Sequence, residues 1–255
     1  MALTPYKNVN EFLSDFLKEV TQILGGNFVG MYLYGSLALE DFDPASSDLD
    51  ILVVTSQPVS PEETSRLKEI HSKIENNKST WAHRLEVSYM SLKALKRYDP
   101  FDNRYPLVSP VSPFGIIEHG KDWIINRSII REKGIIVSGP SPKTLIDEIS
   151  SDDIKKVTKE LLCEQWSKHV DGPDWMKPRK YQAFTVITMC RMLYTIQTGE
   201  VASKAKATEW AMKNLDEKWV SLIKRSVLWR YDPVLDDMDE TLEFLRFVVR
   251  SQCPN

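Results

Sequence analysis

The stretch from Leu33 to Val53, LYGSLALEDFDPASSDLDILV, decides how the rest of the chain is read. It begins at the end of an apolar, aromatic run, Phe28 to Tyr34 (FVGMYLY), which glycines bound and which reads as a buried strand. That strand runs into Gly35-Ser36, where a missing Cβ and a short hydroxyl let the backbone approach a phosphate and donate to it. After a short helical turn and the polar loop Asp41–Ser47, the chain returns as a second strand, Leu49 to Thr55. Residues i and i+2 of a strand share a face, so Asp48 and Asp50 project two carboxylates from one side at its start. Such a pair suits Mg²⁺, which takes a few protein oxygens and completes its shell with water and substrate phosphates.

A third acidic strand residue follows. Arg84 to Ser91 (RLEVSYMS) alternates in the manner of a strand, and Glu86 lies between Leu85 and Val87, which face the other way. A lone glutamate on that face has a use beside Mg²⁺: it can take the proton of a hydroxyl nucleophile. Two ions there would clamp the attacking and leaving oxygens of an in-line phosphoryl displacement. An isolated Asp-x-Asp is a common pattern on a solvated surface. What weighs against that bland reading is the Gly-Ser before it, across a strand–turn–strand layout, together with Glu86.

Working outward, Asn8 to Leu24 carries Phe12, Phe16, Val20 and Leu24 at helical spacing, and Gly25-Gly26 stops it. Ser60-Pro61-Glu62-Glu63 supplies an N-cap, a first-turn proline and a capping-box glutamate for a helix with Leu67, Ile70, His71 and Ile74 on its apolar stripe. Tyr98 to Gly115 holds Pro100, Pro106, Pro110 and Pro113 and reads as a long ordered loop. Past the break at 138–142 (SGPSP), the stretches 152–170, 179–198, 203–215, 216–230 and 237–251 all carry helical periodicity with no convincing strand. A boundary near residue 150 follows, giving an α+β protein: a mixed-sheet domain over 1–150 and a five-helix bundle over 151–255.

Composition narrows the class. The 255 residues include 33 basic and 36 acidic side chains, for a net charge of −3, with no basic block; a nucleic-acid partner is therefore not expected. The uncharged run from Val20 to Leu39 is broken by Gly25, Gly26, Asn27, Gly30, Gly35 and Ser36, so no membrane span is expected. The opening MALTPYKNVNEF has no basic segment leading an apolar one, and a soluble, cytoplasmic protein is expected. Cys163, Cys190 and Cys253 are odd in number and lack CxxC spacing, which reads as reduced, buried thiols. His71, His83, His119 and His169 have no zinc spacing. Trp81, Trp166, Trp210, Trp219 and Trp229 read as core or packing aromatics.

The motif set resembles the nucleotidyltransferases of the polymerase-β type, whose signature is Gly-Ser, a spacer, then Asp-hydrophobic-Asp. More narrowly the chain is similar to the aminoglycoside adenylyltransferases that modify streptomycin and spectinomycin. Further matching stretches are HRLEVSYM, Arg104-Tyr105-Pro106, GPDW (172–175), CRMLYTIQTGE (190–200) and the run from Ala202 to Leu215. The resemblance implies a polymerase-β-like domain followed by an all-α domain. Gly35, Ser36 and Ser47 would meet the ATP phosphates; Asp48 and Asp50, with Glu86 beside them, would hold Mg²⁺, in two ions; and Glu86 would be the base. It also implies that Arg191 and Lys204 reach the triphosphate; Tyr231, following Trp229-Arg230, is a further candidate for lining the same cleft. Trp123 and Asp174 fall where streptomycin-accepting members hold the drug, although this chain reads Gly120-Lys121-Asp122-Trp123 where the family has Gly-acidic-Trp, one residue shorter.

The implied reaction transfers AMP from Mg-ATP to a drug hydroxyl in a monomeric enzyme, with ATP and an aminocyclitol drug as its partners and antibiotic resistance as its consequence. Two other readings stay open on the residues alone: a nucleotidyltransferase acting on another small molecule, a protein or an RNA, and a non-catalytic nucleotide-binding module.

Overall fold

The computed structural model describes residues 3–76 and 80–253, so Met1-Ala2 at the head of the opening segment lie outside the described residues. The chain divides into two units, Met1–Glu148 and Ile149–Asn255.

The first unit is a six-stranded sheet in the order β5-β4-β3-β2-β1-β6. Its strands are β1 (Phe28–Leu33), β2 (Leu49–Thr55), β3 (Leu85–Ser91), β4 (Arg104–Ser109), β5 (Ser112–Glu118) and β6 (Ile135–Ser138). Only β2 and β3 are parallel; the other pairs are antiparallel, so the sheet is mixed. The helices are α1 (Lys7–Leu24), α2 (Gly35–Ala38), α3 (Pro61–Asn76), α4 (Leu92–Lys96) and α5 (Asp122–Lys133). α1 buries Val9, Leu13, Phe16, Val20 and Leu24, one residue per turn, in a core shared with Met31, Leu33, Ile51, Val53, Val87 and Tyr89 of the sheet. From Ile51 to Thr55 every residue of β2 is buried, as its unbroken apolar run requires of a strand covered on both faces. The capping box of α3 forms as read: the Glu63 N–H donates to Ser60 Oγ at 3.2 Å and the Ser60 N–H to Glu63 Oε2 at 2.7 Å.

The structure corrects the sequence reading in two places here. The proline-rich segment 98–115 is no loop throughout, since β4 and much of β5 lie within it. Its prolines are tolerated because the hairpin stands at the sheet edge: β4 meets β3 only at Val108 and Leu107, and Pro113 sits on the outermost strand. Helix α5 and strand β6 were not anticipated. In α5 the buried positions Trp123, Arg127 and Ile130 follow helical spacing, but a charged residue in the middle hides the stripe. Arg127 is 2% exposed and donates to the carbonyls of Leu95 (3.1 Å), Ala94 (2.7 Å) and Trp123 (3.2 Å).

The second unit is helical: α6 (Ser151–Glu164), α7 (Arg179–Thr198), α8 (Lys204–Asn214), α9 (Lys218–Val227) and α10 (Met238–Gln252), with short 3₁₀ turns between several of them. α7 is its central helix, buried at Ala183, Val186, Met189, Cys190, Leu193 and Tyr194 and packed on the other four helices. α6 ends at Glu164 and α9 at Val227, earlier than their periodicity suggested, each followed by a 3₁₀ turn. The expectation of three reduced thiols is overturned: Cys163 and Cys253, 90 residues apart, form a disulfide, and only Cys190 is free, buried in α7. Spacing could not show this, because the bond depends on the ends of α6 and α10 meeting in space. Among the described residues no helix is long and apolar enough to cross a membrane.

Candidate active site

The end of β1 and the start of β2 are antiparallel neighbours, with Leu33 opposite Ile51, and the Tyr34 N–H donates to the Asp50 carbonyl at 3.1 Å. The turn that follows needs a glycine twice over. Gly35 has φ +58°, and a Cβ there would stand 1.8 Å from Asp50 Oδ2. The Asp50 carboxylate therefore occupies the space that the missing side chain leaves. Ser36 follows in α2, and its carbonyl accepts the Asp41 N–H at 2.9 Å.

The loop into β2 is organised around Asp43, which accepts the Ala45 N–H at 2.9 Å and the Ser46 hydroxyl. The Asp43 N–H donates to Ser47 Oγ at 3.0 Å, and the Ser47 N–H returns to the Asp43 carbonyl at 2.8 Å. Arg84, just before β3, holds this loop from the other side. Its Nε donates to the Ser47 carbonyl at 2.9 Å, its Nη2 to the same carbonyl, and its Nη1 to the Pro44 carbonyl at 2.9 Å. Its guanidinium lies 5.2 Å from the Trp81 ring centre.

The parallel pairing of β2 with β3 sets Asp50 beside Glu86 in register. Glu86 is half-buried, and its Oε1 accepts the Tyr34 hydroxyl at 2.8 Å. Burial pushes the Glu86 carboxyl up, the Tyr34 hydrogen bond pulls it down, and the charges of Asp48 and Asp122 raise it again. Tyr34 itself is pushed well above its usual range by burial and by Glu86 and Asp50, so it stays a neutral donor. Asp122, at the head of α5, is a fourth carboxylate of this group, its own pKa raised by the surrounding protein. Sequence reading assigned no role to Tyr34, Arg84 or Asp122, because only the fold brings them to the carboxylates.

The donor set fits a hard divalent cation: Asp50 and Glu86 are in register, and Asp48 stands close enough to raise the Glu86 carboxyl. Among the described residues, however, no group of three or more His, Cys, Asp or Glu side chains is gathered tightly enough to form a ready-made cage.

Trp123 lies in the same unit but is not an open platform. It is 4% exposed, stacked on His119 at 4.5 Å between ring centres and 5.9 Å from Tyr34. In the helical unit, Arg191 on α7 donates from Nε to the Ala202 carbonyl at 3.3 Å, and Lys204 opens α8 two residues later, exposed. These two basic residues thus share one corner of the bundle. Asp174 sits apart from them in the 3₁₀ turn Pro173–Met176, largely exposed, ion-paired to Lys177 at 2.7 Å and held below the usual carboxylate range by it. Tyr231 is 87% exposed in the turn Trp229–Tyr231.

Comparison with known proteins matches both units. Residues 13–97 fit the profile of the nucleotidyltransferase domain, and residues 144–252 that of the aminoglycoside adenylyltransferase C-terminal domain. A spectinomycin 9-adenylyltransferase of Staphylococcus aureus is 29% identical over 226 residues, covering 81% of this chain and 79% of the relative. An aminoglycoside (3'') (9) adenylyltransferase of Klebsiella pneumoniae is 25% identical over 255 residues, covering 94% and 93%. The fold is that of a spectinomycin adenyltransferase from Enterococcus faecialis solved with ATP and spectinomycin, with a TM-score of 0.70, 17% identity and coverage of 94% of this chain and 99% of that one. With a nucleotidyltransferase domain carrying the Gly-Ser and Asp-x-Asp elements and a helical unit that fits the aminoglycoside adenylyltransferase C-terminal domain, the chain is a nucleotidyltransferase similar over most of its length to the aminoglycoside adenylyltransferases.

Proposed function

We propose that this enzyme transfers AMP from Mg-ATP to a hydroxyl of streptomycin, spectinomycin or both, and so confers resistance to them. The observation that carries the reading is the pairing of Asp50 with Glu86 across β2 and β3, with the Asp50 carboxylate seated directly against Gly35. Residues 1–150 then act as the nucleotidyltransferase domain and 151–255 as the helical domain. Gly35, Ser36 and Ser47 take the nucleotide phosphates, Arg191 and Lys204 bring positive charge to the triphosphate, and Tyr231 lines the nucleotide.

Glu86 accepts the proton of the drug hydroxyl while that oxygen forms a bond to the α-phosphorus. The bond from the α-phosphorus to the bridging oxygen breaks, and pyrophosphate leaves with the electron pair. The proton on Glu86 passes to solvent after the product departs. When bound by Asp48 and Asp50 with Glu86 beside them, Mg²⁺ supplies charge neutralisation on the phosphates. On the acceptor side, Asp174 offers an exposed carboxylate to a guanidinium, while Trp123, buried against His119, backs that side without an open ring face.

The direct test is incubation with ATP, Mg²⁺ and each drug, reading the mass of one added AMP on the drug and the release of pyrophosphate. Parallel reactions with cell extract in place of drug distinguish a macromolecular acceptor. AMP on the drug, lost in Glu86→Gln, supports the assignment; ATP binding with no transfer to any acceptor rejects it.

A further inference from the structure

The hydroxyl of Tyr34 takes no bond-making part in the transfer, yet it donates to the side chain that serves as its base. Tyr34 is 2% exposed, and its backbone is fixed to β2 through the Asp50 carbonyl. Its ring is backed by Trp123, which in turn stacks on His119, and His119 packs edge-on against Tyr105. A phenol braced along that row cannot swing, and its hydroxyl donates to Glu86 Oε1 at 2.8 Å.

A glutamate carboxylate turns easily about its last torsion, so its two oxygens are ordinarily interchangeable. With Oε1 taken by Tyr34 they are not. We propose that Tyr34 is a positioning residue of the adenylyl transfer: by holding Oε1 it leaves Oε2 as the oxygen that receives the acceptor proton, and it fixes the direction of that oxygen's lone pairs. The inference rests on the reading of Glu86 as base. It also gives the buried Trp123 a purpose on the acceptor side that needs no open ring face.

Tyr34→Phe keeps the ring and removes only the donor. The expected result is a kcat lower by about 10- to 100-fold, the scale on which misdirected reacting groups lose rate. The KM values for ATP and drug stay within about threefold, since neither ligand is held by the phenol. A structural role alone would instead lower the melting temperature and raise KM. Glu86→Asp withdraws the carboxylate from the phenol, so adding Tyr34→Phe to it should cost no further rate; independent, multiplying losses overturn the inference. Full kcat in Tyr34→Phe with Glu86→Gln inactive overturns it too and leaves the base assignment standing. Activity in Glu86→Gln removes the base assignment, and this inference with it.

Discussion

Asp50 and Glu86 lie side by side in register on the parallel strands β2 and β3, the only parallel pair among the described residues. An antiparallel β3 would put its first residues at the far end of β2; the parallel pairing gathers both acidic strand starts at one edge. The crossover through α3 that makes this possible therefore belongs to the site as much as the carboxylates do. From Asp50 the geometry continues to Gly35, which its carboxylate overlies.

Gly35→Ala should accordingly be far more damaging than its size suggests. The new methyl would stand 1.8 Å from Asp50 Oδ2, so the carboxylate must move, and the left-handed backbone at φ +58° adds about 1–2 kcal/mol of strain for a residue with a Cβ. The expected outcome is a melting temperature a few degrees lower with transfer reduced by more than about 100-fold. A variant that loses stability but keeps its rate would show that Asp50 can relocate without consequence.

Arg84 offers a milder test. It grips the carbonyls of Pro44 and Ser47, the loop that presents Ser47 and leads into Asp48. Arg84→Lys cannot reproduce a fork that reaches two carbonyls at once. Its expected signature is a KM for ATP raised about tenfold, the effect of roughly 1.4 kcal/mol, with a smaller change in KM for the drug. Equal changes for both ligands would mean that the clamp serves the fold and not the nucleotide loop.

How much of this was legible beforehand follows from the range of each interaction. β1, β2 and β3, and the trio Asp48, Asp50 and Glu86, are written in local patterns: apolar runs, a Gly-Ser, an i, i+2 pair. The hairpin β4–β5 was masked by Pro106 and Pro113, whose cost in a strand falls away at a sheet edge. α5 was masked by Arg127, a buried charge satisfied by three carbonyls. The bond of Tyr34 to Glu86 spans 52 residues and the Cys163–Cys253 link spans 90, and neither leaves any trace in spacing.

That disulfide supports a prediction on the second unit. Closing a 90-residue loop restricts the unfolded chain by about 4–5 kcal/mol on the chain-entropy account. Reductant, or Cys253→Ser, should lower the melting temperature by several degrees or more. Alkylation after denaturation should label one thiol, Cys190, without reductant and three with it. Three labelled thiols in the unreduced protein would show the pair to be open.

Acid should weaken the first unit through two buried histidines. Burial lowers His71 to about 3, and burial together with Arg127 lowers His119 to about 4, against 6.5 in the unfolded chain. As pH falls below about 6.5 the unfolded state takes up protons that the folded state refuses, so stability is present above that pH and is lost down to the folded values. His119→Phe should flatten this slope: the ring still stacks on Trp123, and neither His119 nitrogen has a hydrogen bond to lose among the described residues. The check is the melting temperature from pH 8 to pH 5, where the variant should gain on the parent as pH drops. Parallel curves for the two proteins would remove His119 as a cause.

Under the proposed function, the choice of drug should turn on Asp174. Its carboxylate is exposed, kept ionised by Lys177 2.7 Å away, and therefore ready to exchange that partner for a guanidinium of streptomycin. Arginine-like groups offer a planar fork that a lysine does not, so the exchange favours the drug. Spectinomycin has no guanidinium and gains nothing from this charge. Asp174→Asn should then reduce kcat/KM for streptomycin by about tenfold or more while changing that for spectinomycin by less than about threefold. Lys177→Ala, which frees the carboxylate, should shift streptomycin the other way through a lower KM. Equal losses for both drugs in Asp174→Asn would assign the residue to the turn that carries it and leave the recognition of streptomycin to other side chains.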